Sequence, residues 1–156
     1  MFYFLTIFDA LKIVFLKWLS FTCRYQIVNV LNEIAKTLEI IAIPKHEMDQ
    51  RLSGASYVFS YHITIVNRST HTVQLLRRHW FITDGLFGER EVEGEGVIGQ
   101  QPKLKPGEKF EYESWCPLSG DYGTMNGFFT FCEVQSRDEF EVDVPAMVLL
   151  PKFALN

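Results

Sequence analysis

From residue 37 onward, apolar and polar positions alternate with a period of two. Tyr57, Phe59, Tyr61, Ile63 and Ile65 share one parity, while Ser60, His62 and Thr64 share the other. That alternation predicts a half-buried antiparallel strand, ended by a turn at Asn67-Arg68-Ser69. Over Thr72–Thr83 the apolar parity changes between Val73/Leu75 and Trp80/Ile82, which predicts a bulge near Leu76–Arg78. Asp84-Gly85 and Gly88 mark a loop. Phe110, Tyr112 and Ser114 alternate with Lys109, Glu111 and Glu113 after the turn at Pro106-Gly107. Gly127–Val134 is a nearly unbroken apolar and aromatic run that suits a central strand. Phe140, Val142 and Val144 alternate with Glu139, Glu141 and Asp143, and Pro145 is expected to stop that strand. With Leu38–Ile43 and a segment near Glu89–Glu95, about seven or eight strands result, and no helical period interrupts them. The fold class expected is an all-β sandwich of immunoglobulin or fibronectin-III type.

The first 27 residues follow another rule. MFYFLTIFDALKIVFLKWLSFTC has the length of a membrane span, but Asp9, Lys12 and Lys17 interrupt it, and a central charge costs about 2.5–3.5 kcal/mol to insert. Thr6, Asp9, Lys12, Lys17 and Ser20 gather on one arc of a helical wheel, although Ile13 and Leu16 intrude on it. A basic start and a small-residue cleavage site are both missing, so a signal peptide is disfavoured. Membrane anchor, lipid-surface helix, docking helix and translated upstream sequence all remain open. A membrane has a role only if residues 1–27 are genuine. Residues 28–36 read as a short helical or irregular lead-in to a domain over 37–156.

At 156 residues the chain suits one domain with a core. A net charge of −4, with no basic tract beyond Arg77-Arg78, argues against nucleic acid as a partner. Cys23, Cys116 and Cys132 are odd in number and form no CxxC pair. That suits a reducing compartment and argues against a structural zinc site, each thiol being a small buried apolar group.

Gly94-x-Gly96-x-x-Gly99 has the spacing of a dinucleotide fingerprint. Such a fingerprint works between a strand and a helix, whose N-terminus supplies N–H groups and positive dipole for phosphate. Here Pro102 and Pro106-Gly107 follow, which forbids a helix, and Glu89, Glu91, Glu93 and Glu95 precede. The glycines are therefore expected to serve positive φ or close backbone approach in a bent strand pair.

The runs VQLLRRHWFITDG, EVEGEGVIGQQPKLKPGEKFEYESWCPLSGDYGTMNGFF and FEVDVPAMVL resemble the ApaG domain in order and spacing, over roughly residues 37–156. The ending PKFALN resembles ApaG proteins of Bacteroidetes-type bacteria. The resemblance implies a fibronectin-III-like sandwich and a cytoplasmic, stand-alone protein associated with cobalt and magnesium resistance or efflux. Stand-alone members of that family begin shortly before the first strand, so the resemblance implies that residues 1–27 are translated upstream sequence, with initiation near Val28. In eukaryotic relatives it implies a protein-interaction module. It also brings a suggested nucleotide-binding or phosphohydrolase role at the glycine motif.

Several groups are candidates for chemistry. Glu91, Glu93 and Glu95, with Glu89, share one parity and could attract Mg²⁺ or Co²⁺, the only cofactors the sequence suggests. The alternative is a solvated edge whose charge prevents aggregation. His46, His62, His71 and His79 fall at no metal-ligand spacing. Ser114, Cys116 and Ser119 lack a nearby base, and Asp84 and Asp121 read as turn formers, so no catalytic set is assigned. Trp115 and Tyr122 are expected to be exposed, whereas Trp80, Phe128, Phe129 and Phe131 fill the core. The expected function is a non-catalytic binding module. Its proposed surface joins the Gly94, Gly96, Gly99 loop to Trp115 and to the turn carrying Gly120, Tyr122 and Gly123, for a protein partner or a second copy. The alternative is a metal-dependent phosphohydrolase using the glycine loop.

Overall fold

The computed structural model describes residues 7–151; of the side chains, those of residues 16–19 and 24–151 are described. Residues 1–6, the PKFALN ending from residue 152 onward, and the side chain of Cys23 lie outside the described residues. One helix, α1 (Ile7–Thr37), precedes eight strands: β1 (Leu38–His46), β2 (Tyr57–Asn67), β3 (Val73–Asp84), β4 (Gly88–Glu95), β5 (Lys103–Leu104), β6 (Lys109–Leu118), β7 (Gly123–Glu133) and β8 (Glu139–Leu149).

The strands form two antiparallel sheets, ordered β1-β2-β6 and β4-β3-β7-β8, with β5 beside the start of β3. This is the all-β sandwich that the alternation predicts. Phe59, Tyr61, Ile63 and Ile65 from one sheet meet Leu75, Trp80, Phe129 and Phe131 from the other, and all are buried. Trp80 sits at the centre, edge-on to Tyr61 at 5.6 Å and to Phe129 at 5.5 Å between ring centroids. The expected bulge in β3 falls between Leu75 and Arg77, where the register with β7 shifts and lets both apolar parities face inward.

Three expectations need correction. Pro145 does not stop β8, which runs on to Leu149; the register with β7 slips between Met125 and Gly127, and the resulting bulge absorbs the proline on an edge strand. Ser60 has the solvent parity of β2 yet is buried, donating to Glu47 at 2.7 Å between its register neighbours Lys45 and Trp115. Phe128, expected in the core, is half-buried on the outer face of its sheet, packed on His79 and Phe81. Residues 28–36 take the helical of the two forms expected, because α1 continues through them. Among its described side chains that helix is anchored near its C-terminal end: Ile34 is buried and Leu31 and Ala35 partly so, whereas residues 24–30 are exposed. Among the described residues no helix is long and apolar enough to cross a membrane.

One buried polar residue closes the sandwich near β5. Asn67 donates to the carbonyls of His71 at 2.8 Å and Leu104 at 2.9 Å, and its Oδ1 accepts the N–H and hydroxyl of Ser69. With donors and acceptor all engaged, its burial is compensated.

Candidate interaction site

The strongest concentration of unusual features lies where β3 ends. Asp84 is buried, and its Oδ1 accepts the N–H of Leu86 at 3.0 Å and of Gly120 at 2.8 Å. Its Oδ2 accepts the N–H of Ser119 at 2.8 Å. Burial pushes the carboxyl pKa up, but the N–H groups of Ser119, Leu86, Gly120 and Phe87 outweigh it and hold the value below the ordinary carboxylate range. One carboxylate thus ties the β3–β4 hairpin tip to the connection between β6 and β7. Arg90 of β4 reaches the same place, with Nη1 at 3.8 Å from Asp84 and Nη2 donating to the Pro117 carbonyl at 2.8 Å.

Glycines permit this closeness. A Cβ on Gly85 would stand 2.4 Å from the Tyr122 ring, and one on Gly120 would stand 2.7 Å from the Leu86 nitrogen. The loop before β2 joins the cluster, where Ser119 donates to the Gly54 carbonyl and Ser56 to that of Leu118. Leu52, Ala55, Phe87, Arg90, Pro117 and Ser119 line a groove of about 460 Å³ between these loops.

On this clamped frame stand large apolar side chains in solvent: Phe87 is 76% exposed, Leu86 66% and Tyr122 54%. Trp115, 48% exposed, has the same outward parity as Pro117 on β6. The exposure of Trp115 and Tyr122 agrees with the expectation drawn from their place flanking the polar turn of Gly120 and Gly123. The alternation does not mark Leu86 and Phe87; their one sequence signal is an apolar pair between Gly85 and Gly88.

The Gly94–Gly99 loop is elsewhere. Gly94 pairs with Arg78 and Gly123 with Asp84, so six residues of β3, about 20 Å, separate that loop from the Ser119–Gly123 turn. The surface expected to unite Gly94, Gly96 and Gly99 with Trp115, Gly120, Tyr122 and Gly123 is therefore divided between two ends of the sandwich. Within the loop, the N–H groups of Gly96, Val97 and Gln100 donate to the carbonyls of Leu76, Gln100 and Val97. Arg78 donates to the Glu95 and Gly96 carbonyls. These N–H groups are thus spent on the backbone rather than turned to a phosphate. Gly96 takes φ 55°, and a Cβ there would meet the Gln100 carbonyl oxygen at 2.2 Å. Ile98 and Gly99 both take positive φ, 45° and 75°, the pattern of a type I′ turn.

Glu89, Glu91, Glu93 and Glu95 are exposed along β4 as expected, strung out rather than gathered. Glu91 is engaged by His79 Nε2 at 2.9 Å, and that imidazole stacks on Phe81 at 4.5 Å. Among the described residues no three His, Cys, Asp or Glu side chains approach closely enough to hold a metal ion. Cys116 and Cys132 are buried, and burial pushes the Cys116 thiol up to about 11, which leaves it a packing group at neutral pH.

The ApaG-domain family model matches residues 47–133, more than half of the chain, from the end of β1 to the end of β7. The chain belongs to the ApaG family. It is 40% identical to Protein ApaG of Chromohalobacter salexigens over 120 residues, 76% of this chain and 94% of that protein. It is 43% identical to Protein ApaG of Bradyrhizobium diazoefficiens over 117 residues, 74% of this chain and 89% of that one. The crystal structure of the ApaA protein from Bordetella pertussis superposes with a TM-score of 0.67 at 40% identity, covering 74% of this chain and 94% of that chain. The ApaG match contains the Asp84 clamp, the Leu86–Phe87 tip, Trp115 and the glycine loop.

Proposed function

We propose that this chain is a non-catalytic binding module that docks a protein partner through the Leu86–Phe87 tip, Tyr122 and Trp115. The observation that carries the reading is the exposure of Phe87 and Leu86 on a tip held by a buried carboxylate. A flexible loop could turn such side chains inward; a clamped one presents them at fixed positions. Exposed aromatic and aliphatic anchors around a groove, beside the buried Asp84 carboxylate and the part-exposed Arg90, match the anatomy of protein-binding hot spots. The cobalt and magnesium association implied by the family resemblance would then act through the partner rather than through metal on the sandwich.

Two measurements test this reading. Phe87→Ser should abolish partner recovery by tagged full-length protein while leaving the melting temperature within a few degrees. Purified protein should release no phosphate from ATP or GTP with Mg²⁺, Mn²⁺ or Co²⁺. Turnover in that assay would overturn the non-catalytic assignment, and unchanged partner recovery by the variant would move the surface elsewhere.

A further inference from the structure

The two sheets leave four edge strands among the described residues: β1 and β6 in one, β4 and β8 in the other. Proline lacks the N–H that an added strand would bond, so a proline on an edge blocks sheet extension. β1 carries Pro44, β6 carries Pro117 and β8 carries Pro145. β4, GEREVEGE, carries none. It is guarded by charge alone, and the charge has one sign on one face.

The ladder shows which backbone groups face outward. Gly96 donates its N–H to the Leu76 carbonyl at 2.7 Å, just past the end of β4. Backbone groups alternate in direction along an antiparallel strand. Gly94, Val92 and Arg90 therefore turn theirs toward β3, whereas Glu89, Glu91 and Glu93 turn theirs to the vacant edge. The residues with exposed carboxylates are thus also the residues with free edge N–H and C=O groups. Arg78 already occupies the Glu95 carbonyl, which closes the edge at that end.

The geometry points to β4 as the site where an extended segment of a partner protein, with Lys or Arg at alternate positions, adds as a further strand. Directly opposed side chains on an antiparallel pair lie about 5 Å apart, close enough for each basic residue to face a glutamate. Among the described residues neither Glu89 nor Glu93 has an ion-pair partner within 4.0 Å; Arg77, the cation that acts on Glu93 from longer range, is bonded directly to Glu139, so both carboxylates can take a partner. A second copy of this chain fits badly, because β4 against β4 would set glutamate against glutamate. The inference shares the binding-module reading of the domain but uses another surface, so Phe87→Ser should leave it intact.

The test is nuclear magnetic resonance of full-length protein titrated with a synthetic peptide of alternating lysine and valine, as long as β4. Hydrogen exchange of the Glu91 and Glu93 N–H groups should slow on binding, and a peptide of alternating glutamate and valine should have no effect. Glu93→Pro removes an outward N–H without touching the ladder to β3, and binding should be lost. The chain carrying Glu89→Lys, Glu91→Lys and Glu93→Lys should switch preference to the glutamate peptide, and it gives the answer even if the proline variant fails to fold. No binding, binding that survives a folded Glu93→Pro, or bound peptide without slowed exchange would each overturn the assignment.

Discussion

Asp84 on β3 accepts the backbone N–H of Gly120, at 2.8 Å, from the turn between β6 and β7. That bond joins strands from different sheets at the end of the sandwich where the apolar side chains are presented. It makes the proposed surface a rigid feature, and it has a pH signature.

A carboxylate whose folded pKa lies below its unfolded one adds stability that is complete above the unfolded pKa, about 4, and is lost as pH falls through the folded value. Asp84 is such a group, and so is Glu133, where burial raises the pKa but N–H donors from Ser136 and Gln135 lower it further. Thermal unfolding should therefore be nearly flat from neutral pH to about pH 5 and fall steeply below pH 4. Asp84→Ala should cost about 3 kcal/mol by stranding the N–H groups that the carboxylate accepts, and should flatten part of the acid limb.

Ile98 is a β-branched residue at positive φ, 45°, on an exposed turn. The same turn with asparagine would carry the Asn-Gly pair that type I′ geometry favours. Ile98→Asn should stabilise the protein by about 1 kcal/mol, or about 2–4 °C in melting temperature. A lower melting temperature would mean that Ile98 makes contacts that outweigh its backbone strain.

The buried hydroxyl of Tyr112 has no hydrogen-bond partner, and burial drives its pKa upward. Removing a buried, unpaired polar group relieves its desolvation cost. Tyr112→Phe should therefore leave stability unchanged or raise it. A loss above about 1 kcal/mol in urea denaturation would imply that the hydroxyl is satisfied in solution.

Trp115 is half exposed, on the outward face of β6. Trp115→Ala should weaken partner recovery while lowering the melting temperature by no more than a few degrees. Outright unfolding would mean that Trp115 serves the packing over Ser60 and not the partner.

The strands were legible because burial imposes a period of two: Tyr61, Ile63 and Ile65 announce their face, and the parity change between Leu75 and Trp80 announces the bulge. Trp115 and Tyr122 were readable for another reason: they flank the polar turn that carries Gly120 and Gly123. What alternation cannot convey is which loops share an end of the sandwich. Gly94 and Gly120 are both glycines in polar surroundings, but the β3 register sends one to Arg78 and the other to the Asp84 end. Pro145 misled because a proline blocks a central strand and not an edge. Leu86 and Phe87 were hidden because two apolar residues in a loop look like core until the clamp at Asp84 fixes them in solvent.

The most direct measurement is site-specific photo-crosslinking in producing cells, with a photoreactive phenylalanine at position 87 or, as control, at position 141 on β8. The account predicts one discrete adduct with a single protein from position 87, none from position 141, and loss of the adduct when Tyr122→Ser is added. No adduct from position 87, or the same adducts from both positions, would contradict a binding module that works through this end of the sandwich.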